Sequence, residues 1–322
     1  MKALQILSGA DVVVVDLPMP EPGPGEVRVR IDAVTICTQW DLHLRHNSPM
    51  FPGHQFHYPY TVGQPGHEGS GVVDAVGANV AELKEGDRVS LWRDPGHDVQ
   101  GCFAQYVVRE TSEVIQVPEG LSPVATAPVE LAMCVACSIM QMASMQGIDG
   151  KRIAVAGLGP AGLIAIQMLK AEGAAHITGI DPVEKRREIA IQLGADVTYS
   201  PEEAAAAIPL RNAAILDSAI DCVGAERSVQ FLMDRVADTI SIFGVLRGEV
   251  KFGFPHYIGL RLCGYPPHNR PAAEYVVQLM TDGKLDLMPV ISHVMPMAAY
   301  REAIDMLERQ EATKVCLLPW MD

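Results

Sequence analysis

The run KRIAVAGLGPAGLIAIQMLK, residues 151–170, decides the fold. Its first part, RIAVAGL, is a continuous apolar stretch suited to a strand buried on both faces, and the residues after Pro160 read as a helix. Between them stand Gly157, Gly159 and Gly162, with Pro160 and Ala161 filling the spaces. Between a strand and a helix, glycines at this spacing permit a tight turn, let backbone approach a pyrophosphate, and let helix and strand pack closely. A diphosphate then rests on the helix N-terminus, where free N–H groups and the dipole favour an anion. Asp181 closes the next apolar run, HITGID, where a carboxylate accepts hydrogen bonds from both ribose hydroxyls. A 2′-phosphate there would meet a like charge, so NAD(H) is expected rather than NADP(H). Arg186 is placed to cover the adenosine end, with Lys185 and Arg187 beside it. The alternative is a glycine-rich turn that binds nothing.

Outward from this run, strands and helices alternate. A long apolar helix, VELAMCVACSIMQMASM, precedes it; helix PVEKRREIAIQLGA and strands DVTYS, SAIDCV and TISIFGV follow. That order predicts right-handed crossovers and a parallel, doubly wound sheet over residues 126–265. Residues 1–125 read differently, as short strands with Gly and Pro punctuation: EVRVRIDAVTI, GSGVVDAVGANV, DRVSLW and CFAQYVV. A β-rich domain of barrel or sandwich type is expected there. The tail, 266–322, carries two helices and a last strand, TKVCLLP, and is assigned to that same domain. The fold class is therefore α/β: a Rossmann-type parallel sheet plus a β-rich domain.

The β-rich part holds a second chemical signal. Cys37, His67 and Glu68 offer thiolate, imidazole and carboxylate, the donor types of a zinc site, each at or near a strand end. The alternative is that Cys37 is a small buried apolar residue and that His67 and Glu68 make loop hydrogen bonds. Cys134 and Cys137, three apart on a helix, read as core residues.

Composition narrows the classes. With 322 residues, 48% of them hydrophobic and 20% charged, the chain can bury two cores, and a net charge of -14 argues against a nucleic-acid surface. The seven scattered cysteines suit reduced thiols. The N-terminus lacks the unbroken apolar region of a signal peptide, and no segment is read as bilayer-spanning, so a cytoplasmic protein without a membrane partner is expected.

GHEGSGVVDAVGANV, residues 66–80, resembles the zinc-containing alcohol dehydrogenases through Gly66, His67, Glu68, Gly71, Gly77 and Val80, with the glycine run and Asp181 behind it in order. The chain resembles the medium-chain dehydrogenase/reductase family over essentially its whole length. That resemblance implies a GroES-like catalytic domain, a Rossmann domain, one catalytic zinc held by Cys37 and His67, and hydride exchange between a secondary alcohol or polyol-like substrate and NAD(H). It also implies a homodimer or homotetramer, with TISIFGV continuing the sheet across a two-fold axis. The family's structural-zinc lobe is missing: LWRDPGHDVQGCFAQYVV carries only Cys102, so no structural zinc is expected. Ala127-Pro128-Val129-Glu130-Leu131 resembles the polyol and threonine dehydrogenase branch, which has a glutamate at this place, so Glu68 and Glu130 are both candidates beside the metal. Asp41 would by resemblance orient His67, and His43 would be the outer member of a proton relay starting at Thr38. The chain departs here, since Cys37-Thr38-Gln39-Trp40-Asp41-Leu42-His43 is one residue longer than the family pattern.

The segment from His43 to Tyr60, with His46, Phe51, His54, Phe56 and His57, is either a substrate-facing loop or a packing loop, and PPHNRP at 266–271 is a further candidate border of the cleft. Two other functions stay open at this point: a zinc-free quinone or enoyl-type reductase of the same fold, and a dinucleotide sensor without turnover.

Overall fold

The computed structural model describes residues 1–9, 11–50, 53 and 55–321; Phe51 and His54 lie outside them. The chain forms two compact units, Met1–Leu131 with Leu287–Asp322, and Ala132–Asp286.

The first unit begins with the hairpin β1 (Lys2–Ile6) and β2 (Val12–Asp16), followed by β3 (Glu26–Thr35), α1 (Thr38–Arg45), β4 (Glu68–Val76), β5 (Arg88–Leu91), β6 (Tyr106–Glu110), β7 (Val114–Gln116), α2 (Pro123–Thr126) and the start of α3 (Val129–Gln146). In β3 the period of two is plain: Val27, Val29 and Ile31 are fully buried, while Arg28 and Arg30 alternate with them on the opposite face. β3 pairs antiparallel with β4 in a register that sets Thr35 opposite Glu68. Helix α1 was not foreseen, because TQWDLHLR is too polar to show an apolar stripe; only Asp41 and Leu44 are buried on it.

The second unit comprises β8 (Arg152–Ala156), α4 (Pro160–Ala171), β9 (His176–Ile180), α5 (Glu184–Leu193), β10 (Val197–Tyr199), α6 (Pro201–Ala207), β11 (Leu216–Asp221), α7 (Glu226–Met233), β12 (Val236–Ile242), α8 (Phe254–Tyr257), β13 (Arg261–Cys263) and α9 (Arg270–Thr281). Its strands are parallel in the order β10-β9-β8-β11-β12-β13. The order reverses between β8 and β11, and such a switch point opens a ligand crevice at the carboxyl ends of the strands. TISIFGV is not the sheet edge it was expected to be. β12, which carries most of it, is covered by β13, leaving Arg261–Cys263 as the outer strand among the described residues. Three residues are too few to show a strand pattern in sequence.

The tail contributes β14 (His293–Pro296), α10 (Tyr300–Glu308) and β15 (Val315–Leu318) to the first unit, where Cys316 of β15 pairs with Thr35 of β3. The second boundary falls at 286/287 rather than 265/266, because α9 packs with α4: the Tyr275 hydroxyl donates to Glu172 at 2.7 Å, and Gln167 exchanges hydrogen bonds with the Asp286 backbone. The first boundary lies at 131/132, inside α3.

One further expectation is corrected. The stretch Pro123–Gln146 is long and apolar enough to cross a bilayer by composition alone, but 78% of its most apolar window is buried in the protein. Most of helix α3 is therefore core, with Met140 and Met145 the apolar residues it leaves exposed.

Candidate active site

Strand register assembles the first cluster. With Thr35 opposite Glu68, the residues just beyond β3 and just before β4 face one another, so Cys37 and His67 meet although thirty positions separate them. The ligand atoms of Cys37, His67 and Glu68 all lie within 4.8 Å of one another. Glu130, in the first turn of α3, brings its Oε2 to 3.8 Å from His67 Nε2. Two ligands of a tetrahedral zinc, each roughly 2.0–2.1 Å from the ion, stand about 3.3 Å apart, so this pair is close to ligating geometry.

The two glutamates differ in what holds them. Glu68 is 1% exposed, and its carboxylate is bound by the Lys314 ammonium at 2.6 and 2.8 Å and by the Thr35 hydroxyl at 2.5 Å. Lys314 also donates to the Ile36 carbonyl at 3.1 Å. A charge so committed is neutralised before any metal arrives. Glu130 faces His67 at 3.8 Å.

His67 is set by its own loop. Its Nδ1 lies 2.8 Å from the Pro65 carbonyl, which only accepts, so Nδ1 carries a proton and Nε2 is the nitrogen turned toward the cluster. Burial by itself would depress this imidazole, but Glu130, Cys37 and Asp94 overcome it and hold it well above its ordinary value. A buried histidine driven to protonate by surrounding anions marks a place that calls for a cation. The donor set of thiol, imidazole and carboxylate therefore fits zinc.

The expected helpers of His67 are placed otherwise. Asp41 does not orient His67: its Oδ1 accepts the Tyr300 hydroxyl at 2.5 Å, and its Oδ2 is buried without a partner among the described residues. The extra residue after Cys37 turns Asp41 about 100° further round α1 than the family spacing would, and the Pro65 carbonyl takes the role instead. Burial, opposed by the Tyr300 hydrogen bond, pushes the Asp41 carboxyl up to about 7. Thr38 and His43 were the expected members of a proton relay. Both residues are on α1, five apart and hence about 140° apart around its axis, and His43 Nδ1 is engaged by the Ser48 carbonyl at 2.5 Å. In the neighbouring loop, His46 pairs with Glu308 at 2.6 Å, and the rings of Phe56 and Tyr60 pack edge to face, so these residues pack and pair within the unit.

Cys102, where the lobe is missing, is a packing residue. Its Sγ lies 3.1 Å from where a Cβ on Gly69 would stand, and burial pushes its thiol up to about 12. Cys134 is buried in the second unit, with Sγ 3.4 Å from His268 Nε2.

The glycine run of the second unit has three different reasons for its three glycines. Gly157 has φ +85°, and a Cβ there would meet Val223 at 2.7 Å. A Cβ on Gly162 would lie 1.9 Å from the Gly157 carbonyl oxygen. A Cβ on Gly159 would have no protein atom within 4 Å, and its φ of -71° suits any residue. Nothing in the protein requires glycine at Gly159, which leaves open space at the N-cap of α4, with Pro160 and Ala161 opening the helix. Asp181, 3% exposed at the end of β9, accepts from the Leu158 amide at 2.8 Å through Oδ2 and from the Val183 amide at 2.8 Å through Oδ1. Arg186 stands 3.9 Å from the same carboxylate.

Family models match on both sides. An alcohol dehydrogenase GroES-like domain covers residues 23–119, and a zinc-binding dehydrogenase domain covers 160–263. The chain belongs to the zinc-type medium-chain dehydrogenase family. It is 27% identical to an L-threonine 3-dehydrogenase of Bacillus subtilis across 99% of both chains. Among solved structures it is similar to an NAD-dependent alcohol dehydrogenase, at 25% identity and a TM-score of 0.83 over 99% of both chains. Galactitol-1-phosphate dehydrogenase from Escherichia coli shares the fold, at 24% identity and a TM-score of 0.84 over 99% of this chain and 100% of that one. This dehydrogenase thus has alcohol-oxidising relatives along its entire length.

Three residues that hold the site were absent from the sequence reading: Lys314, Tyr300 and Pro65. Lys314 had a signal, since a lysine opening the apolar run VCLLP is a cation carried into a core. Tyr300 and Pro65 had none.

Proposed function

We propose that this chain is a zinc-dependent dehydrogenase that exchanges hydride between a secondary alcohol or polyol-like substrate and NAD(H), in the cytoplasm. The observation that carries the reading is the unequal treatment of the two glutamates. Lys314 cancels the charge of Glu68, while Cys37, His67 and Glu130 present a sulfur, an imidazole nitrogen and a carboxylate to a divalent ion, which would displace their protons. These three would hold zinc, with Glu68 behind them as a buried, paired anion. Zinc and the nicotinamide, when bound, would supply Lewis acidity at the reacting oxygen and the two-electron acceptor or donor.

The chain's own residues do the rest. The Pro65 carbonyl keeps a proton on His67 Nδ1, so that Nε2 is the nitrogen whose proton a metal would displace. Gly157, Gly159 and Gly162 bring the backbone and the first turn of α4 to the pyrophosphate. Thr38 and His43 lie on different sides of α1, so a relay through both would need a water or a ligand group to join them.

Metal analysis should find one zinc per chain, and Cys37→Ser should lose both metal and turnover with a panel of polyols and amino alcohols and NAD. A fully active metal-free protein would overturn the reading in favour of a zinc-free reductase.

A further inference from the structure

Resting on the zinc reading of the first unit, we propose that Asp94 is a positioning residue for the metal: the short segment that stands where the structural-zinc lobe is missing carries its carboxylate to the back of His67, where it strengthens zinc binding through space. The carboxylate expected there, Asp41, is spent on Tyr300. Asp94 Oδ2 lies 3.9 Å from His67 Nδ1, too far for a hydrogen bond, on the edge of the ring whose Nδ1 meets the Pro65 carbonyl. The two groups therefore divide the work. The carbonyl fixes the nitrogen that carries a proton, and the carboxylate sets a full negative charge behind the ring, which makes Nε2 a stronger donor to a metal. That charge is not spent elsewhere. Among the described residues His67 is the one basic side chain within 4 Å of Asp94, whereas Glu68 is matched by Lys314. With side chains 5% and 18% exposed, His67 and Asp94 are poorly screened by solvent.

The short segment is built to keep Asp94 in place. Its Oδ1 accepts from the Gly96 amide at 2.9 Å, which closes a turn and leaves Oδ2 toward His67. Gln64, fully buried and next to Pro65, donates from Nε2 to the Gly96 carbonyl at 3.0 Å and to the Val99 carbonyl at 2.9 Å. Further on, the Gly101 amide donates to the Val62 carbonyl at 2.9 Å and the Cys102 amide to the Gly66 carbonyl at 2.8 Å. Residues 96–102 are thus tied at four points to residues 62–66, the stretch that leads into His67. The imidazole and the carboxylate behind it are carried by one hydrogen-bonded loop pair, so their separation is fixed by backbone rather than by a direct bond.

Two variants separate the charge from the turn. Asp94→Asn removes the charge and keeps an acceptor for the Gly96 amide, while Asp94→Ala removes both. Zinc dissociation constants of the full chain, measured by competition with a chelating dye, should rise at least about fivefold in both variants; this is less than the tenfold or more that loss of a hydrogen-bonded partner costs, because only the field is lost. Urea unfolding of the metal-free protein should leave Asp94→Asn at the unmodified midpoint and lower that of Asp94→Ala. An Asp94→Asn protein that binds zinc less than about fivefold more weakly, or whose metal-free form unfolds at lower urea, overturns the role of Asp94 while leaving the zinc site standing. Failure of the unmodified protein to bind zinc overturns the zinc reading itself.

Discussion

Replacing Lys314 by methionine isolates the buried pair on which the assignment of the two glutamates depends. The ammonium lies 2.6 Å from Glu68 Oε2, with the side chains 3% and 1% exposed. At an effective dielectric of about 20, two charges at that distance attract by about 6 kcal/mol. Removing each ion from water costs several kcal/mol, so the pair as a whole contributes little net stability. Removing one partner is a different matter. Lys314→Met leaves the Glu68 carboxylate buried with only the Thr35 hydroxyl, and the loss should be about 3–5 kcal/mol. Lys314→Met with Glu68→Gln buries no charge and should lose less than about 2 kcal/mol, so the double variant should be more stable than Lys314→Met alone by at least about 1–3 kcal/mol. All three tryptophans, Trp40, Trp92 and Trp320, belong to the first unit, so fluorescence during urea unfolding reports that unit even if the two do not unfold together. A single variant that loses under about 1 kcal/mol, or a double variant that loses as much as the single, would refute the view that Lys314 neutralises Glu68.

Two glycines that look alike in sequence should behave oppositely. Gly159→Ala meets no protein atom, so unfolding should shift by less than about 1 kcal/mol while NAD affinity falls about tenfold or more; Gly162→Ala, whose Cβ would lie 1.9 Å from a carbonyl oxygen, should lose several kcal/mol of stability. Calorimetric binding and urea unfolding distinguish them, and equal stability losses would contradict the ligand-space reading of Gly159. Burial raises the Asp41 carboxyl from the ordinary 3.8 to about 7, so the folded state holds a proton that the unfolded chain has already lost. Stability should therefore fall as pH rises from about 4 to 7, by up to about 4 kcal/mol, and level off beyond. Asp41→Asn keeps an acceptor for Tyr300 and should match the parent near pH 4 and exceed it above pH 7; parallel unfolding curves across that window would exclude the effect.

Much of the molecule was legible locally. RIAVA, the glycines and the apolar helix after Pro160 are neighbours in the chain, and their chemistry depends on spacing alone, so strand, turn and helix appear where the pattern puts them. The β-rich first unit was legible for the same reason, from period-two runs such as VRVRI. What spacing cannot show is which way a side chain turns once neighbours compete for it. One extra residue after Cys37 was visible, yet only the packed helix α1 shows that it swings Asp41 onto Tyr300 and leaves His67 to Pro65. Three residues of β13 carry no pattern and exist as a strand because β12 offers an unpaired edge.

From residue types alone came the donor chemistry: a thiol, an imidazole and a carboxylate for a metal, and glycines with an aspartate for a dinucleotide, the second carboxylate, Glu130, coming from the family resemblance. The tertiary structure decided how those donors are divided. It delivers Lys314, 246 positions along the chain, to Glu68. There a cation neutralises one acid of the site, because a carboxylate buried away from water requires a partner and sequence order does not say which cation the fold will supply.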